Sequence, residues 1–157
     1  MSVEFDLRQL DAVRKRRIEA AALTSEERGR LLGQIGEKIA QQTEDRFFSK
    51  IGPDGNRWAD IAEATEEYYR RARSRPGFRG VPRPPLLVSG DLKDSIVSEV
   101  RGGNWSVIVG AVKEYADVHQ YGHKPKNIPA RPFVGVSPGD AKEIDAVVAR
   151  FLKRAFS

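Results

Sequence analysis

The 157-residue sequence predicts an α+β domain with N-terminal helices, a small antiparallel sheet containing a hairpin, and one closing C-terminal helix. Three observations carry that prediction. Apolar residues recur at helical intervals through the first part of the chain, strand-favouring residues take over after an arginine-rich stretch, and helical periodicity returns at the C-terminus. Helices and strands segregated along a chain in this way pack as α+β, whereas regular alternation would indicate a parallel sheet.

The elements follow in order. Between residues 6 and 23, Leu7, Leu10, Val13 and Ile18 are interrupted by the run Arg14, Lys15, Arg16 and Arg17, the pattern of a helix with a strongly solvated face. Thr24 and Glu27 have the spacing of a capping box, and Leu31, Leu32, Ile35, Ile39 and Phe47 continue from it, so a second helix is expected to reach about Ser49. Gly52, Pro53, Asp54 and Gly55 supply turn chemistry that ends it. Trp58, Ile61, Thr65, Tyr68 and Ala72 fall on one stripe of an expected third helix. Residues 70–83 then carry Arg70, Arg71, Arg73, Arg75, Arg79 and Arg83 with no acid, punctuated by Pro76, Gly77, Gly80 and Pro82, and read as a long exposed loop.

Residues 86–88 are a short candidate strand, 91–94 one helical turn, and 96–101 a second strand. Gly102, Gly103 and Asn104 form the hairpin connection, and residues 105–112 the return strand. On that strand Trp105, Val107 and Val109 point one way, while Ile108 and Val112 point the other. Apolar residues on both faces predict cover on both, by the core on one side and another subunit on the other. Residues 114–121 are helix-like and stop at Gly122. A connector braced by Pro125, Pro129 and Pro132 leads into an expected strand at 133–136. From about Pro138, the stripe Ile144, Val147, Val148, Phe151 and Leu152 marks the closing helix.

Composition narrows the function classes. A chain of this length makes one domain, with residues 1–23 as a helical extension and 70–83 as its arginine-rich loop. The absence of cysteine removes disulfides, thiolate metal sites and cysteine nucleophiles, and suits a reducing compartment. A mean hydropathy of −0.51 with no long apolar run argues against a membrane span, and Glu4 and Asp6 argue against a signal peptide. The chain is therefore expected to be soluble and made inside the cell. Its net charge of +5 is concentrated in the arginine-rich stretch of an otherwise nearly balanced chain. Guanidinium groups pair with carboxylates or phosphates, which leaves a protein partner, a nucleic-acid backbone and plain solvation all open.

Candidate chemistry is sparse. His119 and His123 are four apart, a zinc-helix spacing, but Gly122 lies between them, Asp117 falls on the wrong side and no cysteine can complete the set. The reading preferred for His119 is a structural histidine hydrogen-bonded at a turn. Ser89 within VSGD lacks the glycine-flanked elbow of a nucleophile and is read as the cap of the turn at Asp91, with Asp91 and Asp94 as first-turn acids. No phosphate-binding or dinucleotide glycine loop is present, so neither an enzyme nor a cofactor is expected. The segments YADVHQYG and IPARPFVGVS place Tyr115, His119, Gln120, Arg131 and Phe133 on a rigid connector. That is either a surface shaped for contact or a structural corner in which Arg131 and His119 satisfy backbone carbonyls.

The blocks LLGQIGEKIA, PDGNRW, LLVSGDLKDSI, YADVHQYG and IPARPFVGVS, in this order from about Leu31 onward, resemble the phage virion morphogenesis family, which includes tail completion proteins of Mu-like and P2-like phages. The matching positions are Pro53, Gly55 and Trp58; Ser89, Gly90 and Leu92; Tyr115, Ala116, His119, Gln120 and Gly122; and Pro129, Arg131, Pro132 and Phe133. The resemblance implies a fold like that of tail-terminator and neck proteins, no catalytic activity, and a place in the virion after assembly in the host cytoplasm. It also implies a six-fold homo-oligomeric ring that meets tail-tube and head-neck proteins, with DNA passing through the lumen and no membrane contact. The expected interface residues are Arg70, Arg71, Arg73, Arg75, Arg79, Arg83, Trp105, Val107, Val109, Tyr115, His119, Gln120, Arg131 and Phe133, with the arginines docking on acidic protein surface. The alternative from another class is a small DNA-binding module that uses the same arginines.

Overall fold

A computed structural model describes residues 2–6, 23–73, 86–87, 89–103 and 105–157. Its elements are β1 (Ser2–Asp6), α1 (Ser25–Ser49), α2 (Glu63–Arg73), β2 (Ile96–Arg101), β3 (Ser106–Ala111), α3 (Ala116–Tyr121) and α4 (Pro138–Ala155). This is the α+β arrangement expected from the sequence, closed by a C-terminal helix. Among the described residues no helix is long and apolar enough to cross a membrane.

Helix α1 organises the rest. Its start is a capping box, in which the Thr24 hydroxyl accepts from the Glu27 N–H at 3.2 Å and the Glu27 carboxylate accepts from the Thr24 N–H at 2.7 Å. Hydrogen bonding from the Thr24 backbone N–H first, and then from the Thr24 side chain, holds the Glu27 carboxyl below its ordinary range. One face of α1 packs on β2 and β3, and another takes α4. Leu31, Leu32, Ile35 and Phe47 are fully buried between them. The sheet can approach closely because position 36 is glycine. A Cβ there would lie 2.6 Å from Val107 Cγ2 and 3.0 Å from Ser98 Cβ.

The sheet has three antiparallel strands in the order β1-β3-β2. Residues 96–101 and the following hairpin form as expected, with β2 and β3 in register from Ile96↔Ala111 to Arg101↔Ser106. Strand β1 was not foreseen. The sequence reading starts a helix at Asp6, whereas Ser2–Asp6 pairs with β3 from Ser2↔Gly110 to Asp6↔Ser106. Five residues with only two apolar positions give too weak an alternation to stand out beside the basic run that follows. The expected helix over residues 7–22 lies outside the described residues.

With β1 in place, β3 is the central strand, and its two faces are unequal. Val107, Val109 and Ala111 face α1 and are buried, with Val107 at 0% and Val109 at 1% exposure. On the opposite face Ile108 is half-buried, and Val112, just past the strand, is exposed. The expected interface positions Val107 and Val109 are therefore interior, filled by this chain's own α1. Trp105 is half-buried, and the Arg28 guanidinium lies over its ring at 4.4 Å.

Three other expectations are corrected. The third helix begins at Glu63, so Trp58 and Ile61 precede it in a stretch without regular secondary structure. The stretch expected to be loop from residue 70 is helical through Arg73, because Glu67 one turn back pairs with both Arg70 and Arg71, the latter at 2.7 Å. Arg75, Arg79 and Arg83 lie outside the described residues. Leu86 sits in a turn at φ 68° and Leu87 is in no strand, while Val88 lies outside the described residues, so no strand is seen at 86–88. The turn that follows agrees with the sequence reading, since the Asp91 N–H donates to the Ser89 hydroxyl at 3.2 Å ahead of a 3₁₀ turn at Lys93–Ser95.

Replacing Gly36 with alanine tests the close approach of α1 to the sheet. Helix propensity alone predicts a gain of about 1 kcal/mol. The clash with Val107 and Ser98 instead predicts a net loss of about 1–3 kcal/mol, read as a lower urea midpoint at unchanged slope.

Candidate functional site

The connector between α3 and α4 was expected to hold a strand at residues 133–136. It holds none: these residues form an irregular segment whose first two, Phe133 at 0% and Val134 at 3% exposure, are buried, while Val136 emerges at the surface. Buried backbone outside a sheet still has to pair its N–H and C=O groups. Here side chains from three other parts of the chain do so.

Gln120, on the last turn of α3, faces the segment and acts as a strand edge. Its Oε1 accepts from the Phe133 N–H at 3.0 Å and the Val134 N–H at 3.1 Å, and its Nε2 donates to the Val134 carbonyl at 3.0 Å. From α1, Arg46 donates through one nitrogen to the Phe133 carbonyl at 2.8 Å and the Gly135 carbonyl at 3.0 Å. Its other nitrogen pairs with Asp140 of α4. Asp140 also closes the capping box of α4, accepting from the Ser137 N–H at 2.7 Å while the Ser137 hydroxyl accepts from the Asp140 N–H at 3.1 Å. Burial pulls the Arg46 pKa down, and Asp140 counters it.

Trp58 supplies the third brace. Its indole N–H donates to the Pro132 carbonyl at 2.9 Å, and its ring meets Phe47 edge-on at 5.7 Å. Phe47 in turn packs on Phe133 at 5.4 Å, so three aromatics from separate segments form one cluster. Arg131 points the other way along the chain. Its guanidinium donates to the carbonyls of Ala59 at 2.8 Å and Asp60 at 2.9 Å, and its backbone N–H donates to the His119 carbonyl at 2.7 Å. Of the two alternatives left open by the sequence, Arg131 fits the structural corner.

His119 does not fit its expected role fully. Its carbonyl is hydrogen-bonded, but its Nδ1 is buried with no partner among the described residues, and the ring meets Tyr115 edge-on at 5.9 Å. Burial first, and then the Arg131 charge, hold the imidazole below its ordinary pKa. His123 is used differently, as a cap whose Nδ1 accepts from the Lys126 N–H at 3.2 Å. Between the two histidines Gly122 takes φ 77°, and a Cβ there would lie 2.8 Å from the Ala130 nitrogen, so the return of the chain at His123↔Ile128 requires glycine. Among the described residues no group of three or more His, Asp or Glu could hold a metal ion.

Two hollows open on this corner. One of about 210 Å³ is bounded by Ile61, Ser89, Leu92, Tyr115, His119 and Arg131. The other, of about 560 Å³, lies between Asp60 and Ala62 on one side and the 121–124 and 127–130 stretches on the other. Tyr115, at 41% exposure, and Tyr121, at 67%, stand on the outer surface. The structure therefore gathers Tyr115, His119, Gln120, Arg131 and Phe133 into one corner. Gln120, Arg131 and Phe133 form its buried frame, and Tyr115 is left at the rim. Arg70 and Arg71 sit on α2, more than three-quarters exposed and paired with Glu67. Sequence reasoning missed Arg46 and Asp140. The available signal was a charged residue one position before Phe47 on the apolar stripe of α1.

The family model of the phage virion morphogenesis family matches residues 8–153. The chain is 32% identical over 120 residues to the putative capsid assembly protein G of Escherichia phage Mu, covering 71% of this chain and 72% of that protein. It is also 32% identical over 117 residues to the Mu-like prophage FluMu G protein 1 of Haemophilus influenzae, covering 73% of each. No solved structure matches the chain.

Two measurements probe the corner. Gln120→Leu leaves two N–H groups and a carbonyl unpaired in the interior and is expected to cost about 3 kcal/mol in urea unfolding. Gln120→Glu keeps the acceptor but sets a buried carboxylate oxygen against the Val134 carbonyl, and is expected to destabilise as well. The second concerns His119. A folded-state pKa below 6.5 means that the unfolded chain takes up the proton more readily, so stability falls as pH drops through 6.5 and levels off below the folded-state value. On acidification from about pH 7.5 to 5.5, the melting temperature of wild type should fall more than that of His119→Gln. An equal fall in both would show that His119 is not the group responsible.

Proposed function

The chain belongs to the phage virion morphogenesis family and serves virion assembly, and from that premise we propose that it is a structural part of the neck or tail. In this reading it completes or terminates the tail and supports head-to-tail joining, as a homo-oligomeric ring in contact with the tail-tube and head-neck proteins. The observation that carries it is the corner built by Gln120, Arg46, Trp58 and Arg131. Their polar groups are spent on holding backbone in place, which gives a rigid surface of defined shape and leaves exposed tyrosines on it. Rigid, preorganised surface with aromatic residues at its rim suits protein contact better than chemistry on a small substrate.

A ring needs a heterologous interface, in which one patch of each copy meets a different patch of the next. A second reading has an observation of its own, since the Mu relative is named a putative capsid assembly protein, and it places the chain on the head side. Electron microscopy of particles assembled without the protein separates the two. Complete, filled heads beside tails that are unjoined or of abnormal length are expected. Absent or malformed heads would overturn the tail reading in favour of the capsid one, and normal infectious particles would overturn both.

A further inference from the structure

At the far end of α1 from the braced corner, α1 and α4 enclose a groove of about 260 Å³ lined by Glu27, Arg30, Gln34, Arg150, Phe151 and Arg154. Arg30 is paired with Glu26 at 3.5 Å. Arg150 and Arg154, one turn apart on α4, are exposed and have no ion-pair partner among the described residues. Residues 146–157 contain three bases and no acid. Cations near a helix C-terminus suit its dipole. The dipole does not account for a groove beside them, nor for Phe151 being left half-exposed in its wall.

The complementary surface lies on the same chain. Residues 59–69 contain four acids and no base. Of these, Asp60, Glu63 and Glu66 are exposed, and Glu63 and Glu66 have no ion-pair partner among the described residues. This stretch follows Trp58, which is packed on Phe47, whereas the groove lies beside Arg30. Phe47 and Arg30 are about 26 Å apart along α1 at 1.5 Å per residue. Among the described residues of one molecule no ion pair joins Glu63 or Glu66 to Arg150 or Arg154.

We infer that the α1–α4 groove of one copy receives the acidic start of α2 from the next copy, with Arg150 and Arg154 meeting Glu63 and Glu66. One-turn spacings on two helices allow both pairs to form together. The apolar Phe151 in the groove wall favours a protein side chain over a phosphate backbone. The inference rests on the reading that several copies assemble, and it assigns the unlike patches that meet.

The test uses the full chain in size-exclusion chromatography with light scattering, with circular dichroism as the check on folding. The double variant Arg150→Glu/Arg154→Glu is expected to associate at least tenfold more weakly than wild type, as is Glu63→Lys/Glu66→Lys. Combining all four changes is expected to recover association, which no merely structural role would do. Added salt should weaken wild-type association. Wild-type association that neither reversal alters, or that the combined variant fails to regain, overturns the contact and leaves the multi-copy reading standing. A particle of only two copies that still obeys the charge swap keeps the contact and overturns the ring. A wild-type chain that stays monomeric overturns both. Loss of duplex-DNA binding in Arg150→Glu/Arg154→Glu with association unchanged overturns the protein occupant in favour of nucleic acid.

Discussion

The connector between α3 and α4 has to cross the interior without joining a sheet, and its backbone hydrogen bonds are the constraint on which the corner depends. A buried peptide group left unpaired costs about 1–3 kcal/mol, so three or four would consume much of a small domain's stability. The chain meets this with side chains that imitate backbone. Gln120 presents an acceptor and a donor as a neighbouring strand would. Arg46 covers the Phe133 and Gly135 carbonyls.

The same bonds join distant parts of the molecule. Arg46 stands on α1, which also holds the sheet through the space left by Gly36. It also grips Asp140, which caps α4, so the start of the closing helix, the connector and the central helix are fixed by one guanidinium. Phe47, the next residue, passes the packing on to Trp58 and Phe133. A disturbance in the connector is thus felt by α1, α4 and the turn after α1 together.

Much of the fold was legible where one local signal dominated. The capping box at Thr24, the stop at Gly122, the 96–101 strand and the helix from Pro138 each depend on residues close together in sequence. The errors have a common origin in contacts distant along the chain. Phe133 and Val134 carry a strand-like pattern, but the partner of their backbone is a glutamine side chain and not a strand. Trp58 fits a helical stripe, but its indole N–H bonds to Pro132, and the helix waits until Glu63. β1 is too short to announce itself and acquires its role only by pairing with β3.

From the sequence alone came the α+β class, the caps and turns, and the residue types of the corner, because periodicity and side-chain chemistry act over a few residues. Tertiary structure decided what those residues do. Val107, Val109, Gln120, Arg131 and Phe133 were expected at a contact surface, and in the structure they are interior. Apolar or hydrogen-bonding character says that a residue will be covered, and only the packing of the whole chain says whether its own helix or a neighbour provides the cover. For Val107 and Val109 the cover is α1, admitted by the missing side chain at Gly36. For Gln120 and Arg131 it is backbone more than ten residues away in sequence, a pairing that no local pattern encodes.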